Sequence, residues 1–454
     1  MNWKPFNIIK SFFKGHERTV KAKKNIIASA FIKGLSMIVG FLMIRITLDY
    51  LDKTNYGIFL TLTSFLAWFS FFEVGLGNGL KNKLAEALAV KDYKLGKIYV
   101  STTYAILALI TSFIAVIFFI SNFYIDWTVI LNTDKKLFTE LTSLTFIIFG
   151  FFFLKFVMQL ISVVLFADQR PALGNIFGPI GNLIALILIY ILTKTTEGSL
   201  VYLGWVISVV PVIVLLVATI YFYNNDYKHI APSFSHVKME YAKDLLNLGV
   251  KFFFIQIIGL IVYQSSNFII AQYLGPAEVT VYNIGYKYFS ILMMAFNIIV
   301  APFWAAYTEA WVKKDMVWIK NTVKKLLMIW GGLAIGGILM VFFADPFYHI
   351  LSKGKVEVPL KLSIALLIYF ITFNFGGIFV MFINGVGKIK LQMYSSAIGA
   401  LVFIAVAIIL VKYYKIGMIG LVVASILSNF YGLILAPIQY RKLINNSATG
   451  IWGK

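Results

Sequence analysis

The chain has 454 residues and a formal net charge of +21, yet 60% of its residues are hydrophobic, only 13% are charged, and the mean hydropathy is +0.86. An ordinary soluble domain carries about a quarter charged residues, so this composition excludes a water-solvated surface. In lipid the backbone polar groups must be paired internally, which leaves helices or closed barrels. The apolar stretches run for about 20 residues or more, the length of a membrane-spanning helix and not of a barrel strand. The composition therefore predicts an all-α integral membrane protein.

Taken in chain order, the hydropathy predicts about twelve transmembrane helices, separated by turn-like segments such as LDKTN (51–55) and LGPAE (274–278). The predicted spans are 25–50, 55–77, 98–120, 138–166, 172–192, 200–222, 250–274, 279–304, 323–344, 361–383, 391–411 and 417–437. The first apolar run is too long for the core of a signal peptide, so no cleavable signal is expected.

The basic residues indicate the orientation of these spans. Of the 40 Lys and Arg, 26 lie in the segments that share a side with the N-terminus, and 9 lie in the opposite loops. The positive-inside rule then predicts that both termini are cytoplasmic. The basic arm 1–24 is interpreted as a topology signal and a contact with anionic membrane lipids, and nucleic-acid binding is not expected.

An internal repeat becomes visible when the chain is shifted by 223 residues against itself. Seven identities over 48 positions cluster at matching places: Tyr50-Leu51 with Tyr273-Leu274, Glu86-Ala87 with Glu309-Ala310, Lys91-Asp92 with Lys314-Asp315, and Lys97 with Lys320. Six spans per half give both halves the same orientation, so they would be related by a pseudo-two-fold axis along the membrane normal, as in several transporters. The sequence predicts two six-helix lobes, 1–223 and 224–454, with chance similarity between apolar segments as the alternative.

Ionisable residues inside predicted spans are expensive in lipid and normally face a cavity or a partner. The basic ones are Lys33, Arg45, Lys155, Lys251 and Lys287, and the acidic ones are Asp49 and Glu73. The cationic excess suits an anionic substrate group. Arg45 and Asp49 are four residues apart and could pair on one helix face, and Lys251 could reach the interface by snorkelling. Lys33, Lys155 and Lys287 are predicted to line a cavity, with snorkelling or interhelical bonding as the alternative.

Two polar stripes follow the seventh and eighth spans, which a short hairpin joins. The first consists of Gln256, Tyr263, Gln264 and Asn267, and the second of Tyr282, Tyr286, Ser290 and Asn297. Each stripe occupies one face of its helix. Interhelical hydrogen bonds could explain either stripe, and a hydrated wall suited to sugars is the other interpretation.

Several kinds of chemistry have no counterpart in the sequence. It lacks cysteine and a phosphate-binding GxxxxGK[ST] loop, and its four histidines are scattered. We therefore predict no metal site, no cofactor and no enzymatic activity, and we exclude ATP-driven transport by an ATPase domain in this chain.

Four segments resemble a known family: FFEVGLGNGLKNKLAEALA (71–89), LFADQRPALGN (165–175), YLGPAEVTVYNIGYKYF (273–289) and APFWAAYTEAW (301–311). They are similar to Wzx-type polysaccharide flippases of the multidrug/oligosaccharidyl-lipid/polysaccharide exporter superfamily. The resemblance covers nearly the whole chain and implies a MATE-like fold with two bundles around a central cavity. It implies a flippase that moves an undecaprenyl-pyrophosphate-linked oligosaccharide, such as an O-antigen or capsule repeat unit, across the bacterial inner membrane by alternating access.

On this resemblance Lys33, Lys155 and Lys287 are candidate contacts for the pyrophosphate, with Arg45 also in the cationic set. The tyrosines and amides of the two stripes would meet the glycan. The candidate gate or coupling residues are Asp49, Glu73, Glu86 and Glu309. The resemblance leaves open whether H⁺ or Na⁺ drives transport and whether a polysaccharide polymerase is a partner.

Three alternatives remain at this point. A multidrug or cation antiporter of the same superfamily should carry a mid-membrane acidic residue, whereas Asp49 and Glu73 lie near span ends. A peptidoglycan-precursor lipid flippase should have fourteen spans. A membrane scaffold or glycan polymerase should have large outer loops, whereas the longest ones here are 121–137 and 345–360.

Overall fold

The computed structural model describes residues 17–168, 170–243, 245, 265–300 and 303–453. Within this part every regular element is helical, and none is a strand. The α-helices are α1 Glu17–Tyr50, α2 Lys53–Ala89, α3 Tyr93–Asn122, α4 Trp127–Ile130, α5 Phe138–Met158, α6 Leu160–Ala167, α7 Pro171–Thr195, α8 Leu200–Asn224, α9 Pro276–Val300, α10 Phe303–Val312, α11 Met316–Phe342, α12 Ala344–Ser352, α13 Leu360–Gly385, α14 Lys390–Ile408, α15 Met418–Ser428 and α16 Ala436–Ile444. Residues 265–274 are also helical.

The long helices match the predicted spans. Among the described residues, eight helices are long and apolar enough to cross a membrane, and a ninth candidate runs from Met418 to Ile444 with a bend of 44°. The helices α1 and α2, of 34 and 37 residues, cover the first two predicted spans. The seventh predicted span, 250–274, lies outside the described residues except for 265–274. The chain is therefore a multi-pass helical membrane protein.

The fourth predicted span differs from the structure in one respect. The sequence predicts a continuous helix over 138–166, but the helix is interrupted at Gln159, between α5 and α6. No proline or glycine marks this interruption in the sequence. An apolar run predicts the length of a span, but it does not reveal a local break that no proline or glycine marks.

Capping side chains fix where several helices begin. The carboxylates of Asp92 and Asp315 accept the backbone N–H of Leu95 and Trp318, both at 2.9 Å, at the starts of α3 and α11. Such caps satisfy a backbone donor that has no partner within the helix. Pro276 begins α9, where its missing N–H is not needed.

These two capping aspartates also belong to the internal repeat. Before each one lies a lysine with left-handed backbone, Lys91 with φ 59° and Lys314 with φ 56°. The N–H of Asp92 donates to the carbonyl of Ala87 at 2.9 Å, and the N–H of Asp315 donates to that of Ala310 at 2.9 Å. The N–H groups of Lys91 and Lys314 donate to the carbonyls of Leu88 and Trp311, both at 3.1 Å. The two bonds of each turn close the same type of helix C-cap, a Schellman motif. We call these turns, residues 87–92 and 310–315, the inner turns, after the side on which the sequence analysis predicts them; they share one backbone geometry.

The chain divides into two compact units, one formed by Met1–Tyr50, Ser70–Ile125 and Thr139–Phe253, the other by Leu51–Phe69, Asp126–Phe138 and Phe254–Lys454. In the first unit Leu84, Val100, Leu160 and Val164 are completely buried. In the second, completely buried residues include Tyr307, Ile319 and Phe382. The predicted lobes, 1–223 and 224–454, stay a prediction, and the structure adds that 51–69 and 126–138 pack with the second unit.

Candidate functional site

The predicted intramembrane cations lie on three different helices. Arg45 is half-buried in α1, Lys155 is half-buried in the last turn of α5, and Lys287 is half-buried in α9. Lys33 lies on α1, but its side chain is outside the described residues, and Lys251 lies outside them entirely. The predicted pairing of Arg45 with Asp49, which is half-buried one turn later, stays a prediction.

Lys287 lies near the middle of α9. It lies eleven residues after Pro276, about 16 Å along the axis at 1.5 Å per residue. Among the ion pairs of the described residues, none involves its ammonium group within 4.0 Å. A charge in hydrocarbon costs at least about 2.5–3.5 kcal/mol. This position therefore favours a polar surrounding or a bound anion over lipid.

Lys155 has a feature that the sequence did not predict. It lies one turn before the interruption of the helix at Gln159, whose N–H still donates to the Lys155 carbonyl at 2.9 Å. The N–H of Ser162 donates to Gln159 through a tighter bond spanning three residues, at 2.9 Å. Three half-buried polar residues, Lys155, Gln159 and Ser162, thus lie at or beside the interruption of the span.

The two predicted polar stripes are only partly within the described residues. Asn267 accepts a hydrogen bond through its side-chain oxygen from the amide of Asn283 at 2.8 Å. This is the interhelical bond that the sequence left open as an alternative, and it ties residues 265–274 to α9. Gln256, Tyr263 and Gln264 lie outside the described residues, and Asn297 is exposed near the end of α9.

Tyr282 and Tyr286 belong to an aromatic row. Their ring centroids are 5.8 Å apart, and the Tyr286 ring lies 6.2 Å from Tyr369 of α13, which lies 5.9 Å from Phe373. Tyr282 is only 6% exposed, so it contributes mainly to packing. The sequence analysis missed Tyr369 and Phe373, because no spacing rule connects a residue on α13 with one on α9.

Of the predicted gate residues, Asp49 and Glu86 have described side chains. Glu86 is exposed at the end of α2 and pairs with Lys83 at 3.0 Å on the same helix face. The side chains of Glu73 and Glu309 lie outside the described residues. Among the described residues, no group of three or more His, Asp or Glu is placed to hold a metal ion.

A charged cluster in the first unit was missed by the sequence analysis. Arg170 donates to Asp226 at 2.6 Å and pairs with Asp168 at 3.0 Å, while the Tyr227 hydroxyl donates to Asp168 at 2.8 Å. The hydrogen bond to Asp226 raises the pKa of the Arg170 guanidinium, and burial raises the pKa of Tyr227. The cluster joins the segment before α7 to the segment after α8. Its members are 56 residues apart, which the sequence cannot pair.

Comparison with known proteins identifies the family. A family model described as "Polysaccharide biosynthesis protein" matches residues 22–305, more than half of the chain. The chain belongs to this family. The match in this polysaccharide biosynthesis protein includes Lys33, Lys155, Lys287 and Asn297, and it ends shortly before Glu309.

Relatives and solved structures extend this result. A Salmonella typhi protein named for O-antigen transport is 23% identical over 414 residues, covering 88% of this chain and 92% of the relative. A Yersinia pseudotuberculosis protein named for O-antigen export is 23% identical over 372 residues, covering 78% and 81%.

The fold is similar to that of solved membrane transporters. An inward-facing multidrug resistance MATE family transporter of the MOP superfamily matches with a TM-score of 0.76 at 13% identity, covering 91% of this chain and 96% of that one. A MOP superfamily transporter from Pyrococcus furiosus matches with a TM-score of 0.65 at 13% identity, covering 94% and 97%. The predicted MATE-like fold is thereby confirmed.

Proposed function

We propose that this polysaccharide biosynthesis protein is a flippase for an undecaprenyl-pyrophosphate-linked oligosaccharide, such as an O-antigen or capsule repeat unit. It would move this substrate from the inner to the outer leaflet of the bacterial inner membrane by alternating access. Family membership, relatives named for O-antigen transport and export, and the MATE-like fold support this proposal.

The observation that carries the proposal is Lys287. It is a half-buried cation in the middle of α9 with no ion-pair partner among the described residues. A pyrophosphate would supply the missing negative charge through charge-assisted hydrogen bonds. Lys155 and Lys33 stay further candidate contacts for the pyrophosphate, and the excess of positive charge within the predicted spans argues against a carrier of cationic drugs.

The sugar rings would meet a different part of the path. Tyr286 and Tyr369 present partly exposed aromatic faces joined by ring contact. An aromatic face with a hydroxyl edge combines apolar contact area with hydrogen bonding, which suits a ring that is apolar on its faces and polar at its edge. The prenyl chain would stay in lipid, because its transfer into a polar path would be unfavourable.

The proposal includes an orientation in the membrane, an ion that drives transport and a partner enzyme. Both termini would be cytoplasmic, so that the inner turns face the cytoplasm and the turn between 274 and 276 faces outward. H⁺ or Na⁺ could drive the cycle, and a polysaccharide polymerase could receive the product.

The proposal can be tested with Lys287→Ala, with Lys287→Arg as the conservative variant. We expect the alanine variant to lower flipping of a pyrophosphate-linked oligosaccharide in proteoliposomes about tenfold, the loss of roughly one hydrogen-bonded charge contact. The arginine variant should retain most activity, since it keeps the charge and the donors. Lys320→Ala is the matched control, because Lys320 is an exposed lysine on α11.

Two outcomes would contradict the proposal. Wild-type protein that moves a cationic drug but no lipid-linked oligosaccharide would place the chain among the drug antiporters. Equal flipping by Lys287→Ala and Lys320→Ala, at equal amounts of reconstituted protein, would remove Lys287 from the substrate path.

A further inference from the structure

A close contact joins the first turns of α2 and α9 within the second unit. The Thr280 hydroxyl donates to the carbonyl of Lys53 at 2.8 Å. Gly57 lies so close to α9 that a Cβ at this position would overlap the carbonyl oxygen of Pro276 and lie 3.2 Å from the Thr280 hydroxyl. We call Lys53, Gly57, Pro276 and Thr280 the outer contact.

The outer contact has the symmetry of the internal repeat. The shift of 223 residues places Lys53 on Pro276 and Gly57 on Thr280. The approach of Gly57 to the Pro276 carbonyl therefore becomes, under the same shift, the approach of Thr280 to the Lys53 carbonyl. Each helix thus contributes the same two positions to the contact. A contact of this kind is called isologous and is typical of a two-fold axis. The outer contact is therefore symmetric under the shift that defines the sequence repeat.

The two equivalent positions, Gly57 and Thr280, contribute to the contact in different ways. At Thr280 a hydroxyl bridges to the facing carbonyl, whereas at Gly57 the absence of a side chain lets the backbones approach. The nearby ion pair of Lys53 with Glu278, at 3.7 Å and about one-third exposed, adds little because water screens it. The backbone approach at Gly57 therefore holds the two helices together at this end.

Further contacts within the second unit lie farther along α2. Trp127, which is 5% exposed, lies 6.1 Å from the ring of Phe65 on α2, and Phe65 lies 5.9 Å from Phe268. The Asn132 amide donates to the carbonyl of Gln272 at 3.3 Å. Residues 126–138 thus contact α2 about 12 Å beyond Gly57 and also contact the segment that precedes Pro276.

We propose that the outer contact is a gate, and that Gly57 and Thr280 are the positioning residues that close the substrate's exit at the outer ends of α2 and α9. The proposal rests on the proposed alternating access and on the proposed orientation. Closure uses one hydrogen bond and one small-residue approach, without any charge buried in the contact. Such a contact can form and break without leaving an unpaired charge in the membrane.

The first test measures opening without transport. In this cysteine-free chain, Thr61→Cys is a reporter, because Thr61 is completely buried one turn beyond Gly57, to whose carbonyl it donates at 2.9 Å. We expect an impermeant maleimide added from outside to label the reporter at least about fivefold faster when Gly57→Ala is also present, as expected for a shift between two states. Gly336→Ala is the matched control, because a Cβ at Gly336 meets nothing within 4 Å. Equal labelling in both backgrounds would overturn the gate.

The second test closes the contact covalently. A short thiol-reactive cross-linker between Lys53→Cys and Glu278→Cys should stop flipping, and reduction of the link should restore it. A link between Lys238→Cys and Glu240→Cys, which replaces a Lys–Glu pair at the same 3.7 Å separation within one short segment, should leave flipping unchanged. Full flipping by the Lys53–Glu278 cross-linked protein would overturn the gate. If the proposed substrate is wrong, wild-type protein shows no flipping, but the maleimide result still reports on the gate.

Discussion

The inner turns and the outer contact both involve positions that the internal repeat relates. The related residues are identical at the inner turns and different at the outer contact. At the inner turns, Lys91-Asp92 and Lys314-Asp315 are identical in sequence and share the same backbone bonds and the same caps. At the outer contact, Gly57 and Thr280 share neither size nor polarity, and yet they occupy equivalent places.

The difference in sequence follows from the interactions that form each feature. Those of the inner turns join residues close together in the chain, and those of the outer contact join distant residues. An inner turn is local, since the left-handed residue, the cap and the bonded carbonyls lie within about ten residues, so the same local sequence at two places forms the same turn. The outer contact joins two distant helices through carbonyl groups, which every residue carries. Any side chain that permits or bridges the approach can serve there, so the sequence is free to diverge.

The largest effect is expected when the two outer positions are made identical with Gly57→Thr. Its side chain would overlap the Pro276 backbone, and overpacking of this kind costs about 1–3 kcal/mol. The yield of the Lys53–Glu278 cross-link should fall at least about fivefold. Thr280→Ser, which keeps the hydroxyl, is the control and should leave the yield near wild type. Equal cross-link yields in the two variants would show that the contact can form with threonine at both positions.

An intermediate effect is expected from the two caps. Asp92→Ala and Asp315→Ala should each lower the free energy of unfolding by about 1 kcal/mol, because each removes one acceptor of a helix-terminal N–H. Unfolding in mixed micelles would measure the change, with Asp92→Asn and Asp315→Asn as variants that retain a cap. A loss at only one of the two aspartates would show that the inner turns are equivalent in geometry but not in energy.

The smallest effect is expected from relief of the left-handed backbone. Lys91→Gly and Lys314→Gly should each raise the free energy of unfolding by up to about 1 kcal/mol, because left-handed backbone is unfavourable for lysine but not for glycine. Lys94→Gly is the control, since Lys94 is an exposed residue in the first turn of α3 and glycine is unfavourable within helices. Destabilisation by all three substitutions would mean that the lysine side chains themselves support the inner turns.

Much of the fold could be predicted from the sequence. The apolar composition excluded a soluble protein, and the lengths of the apolar runs placed the spans, because a bilayer of fixed thickness requires helices of about 20 residues. The repeat could also be predicted, because the inner turns depend on residues close together in the chain. The sequence likewise placed Lys287 within a span, where a cation is costly whatever surrounds it.

Other features of the candidate site depend on residues far apart in the chain. The partner of Asn267, the row from Tyr286 to Tyr369, and the cluster of Arg170 with Asp226 join separate helices or the segments between them. The interruption at Gln159 carries no proline or glycine signal. The role of Gly57 belongs to the same group, because a glycine on an apolar helix is unremarkable until a facing carbonyl is seen to occupy the place of its side chain. The positions and lengths of most spans therefore follow from the apolar runs alone, because the thickness of the bilayer and local backbone bonding set them. Only the tertiary structure decided which helices approach one another closely, because that depends on the shapes of distant segments that meet only after folding.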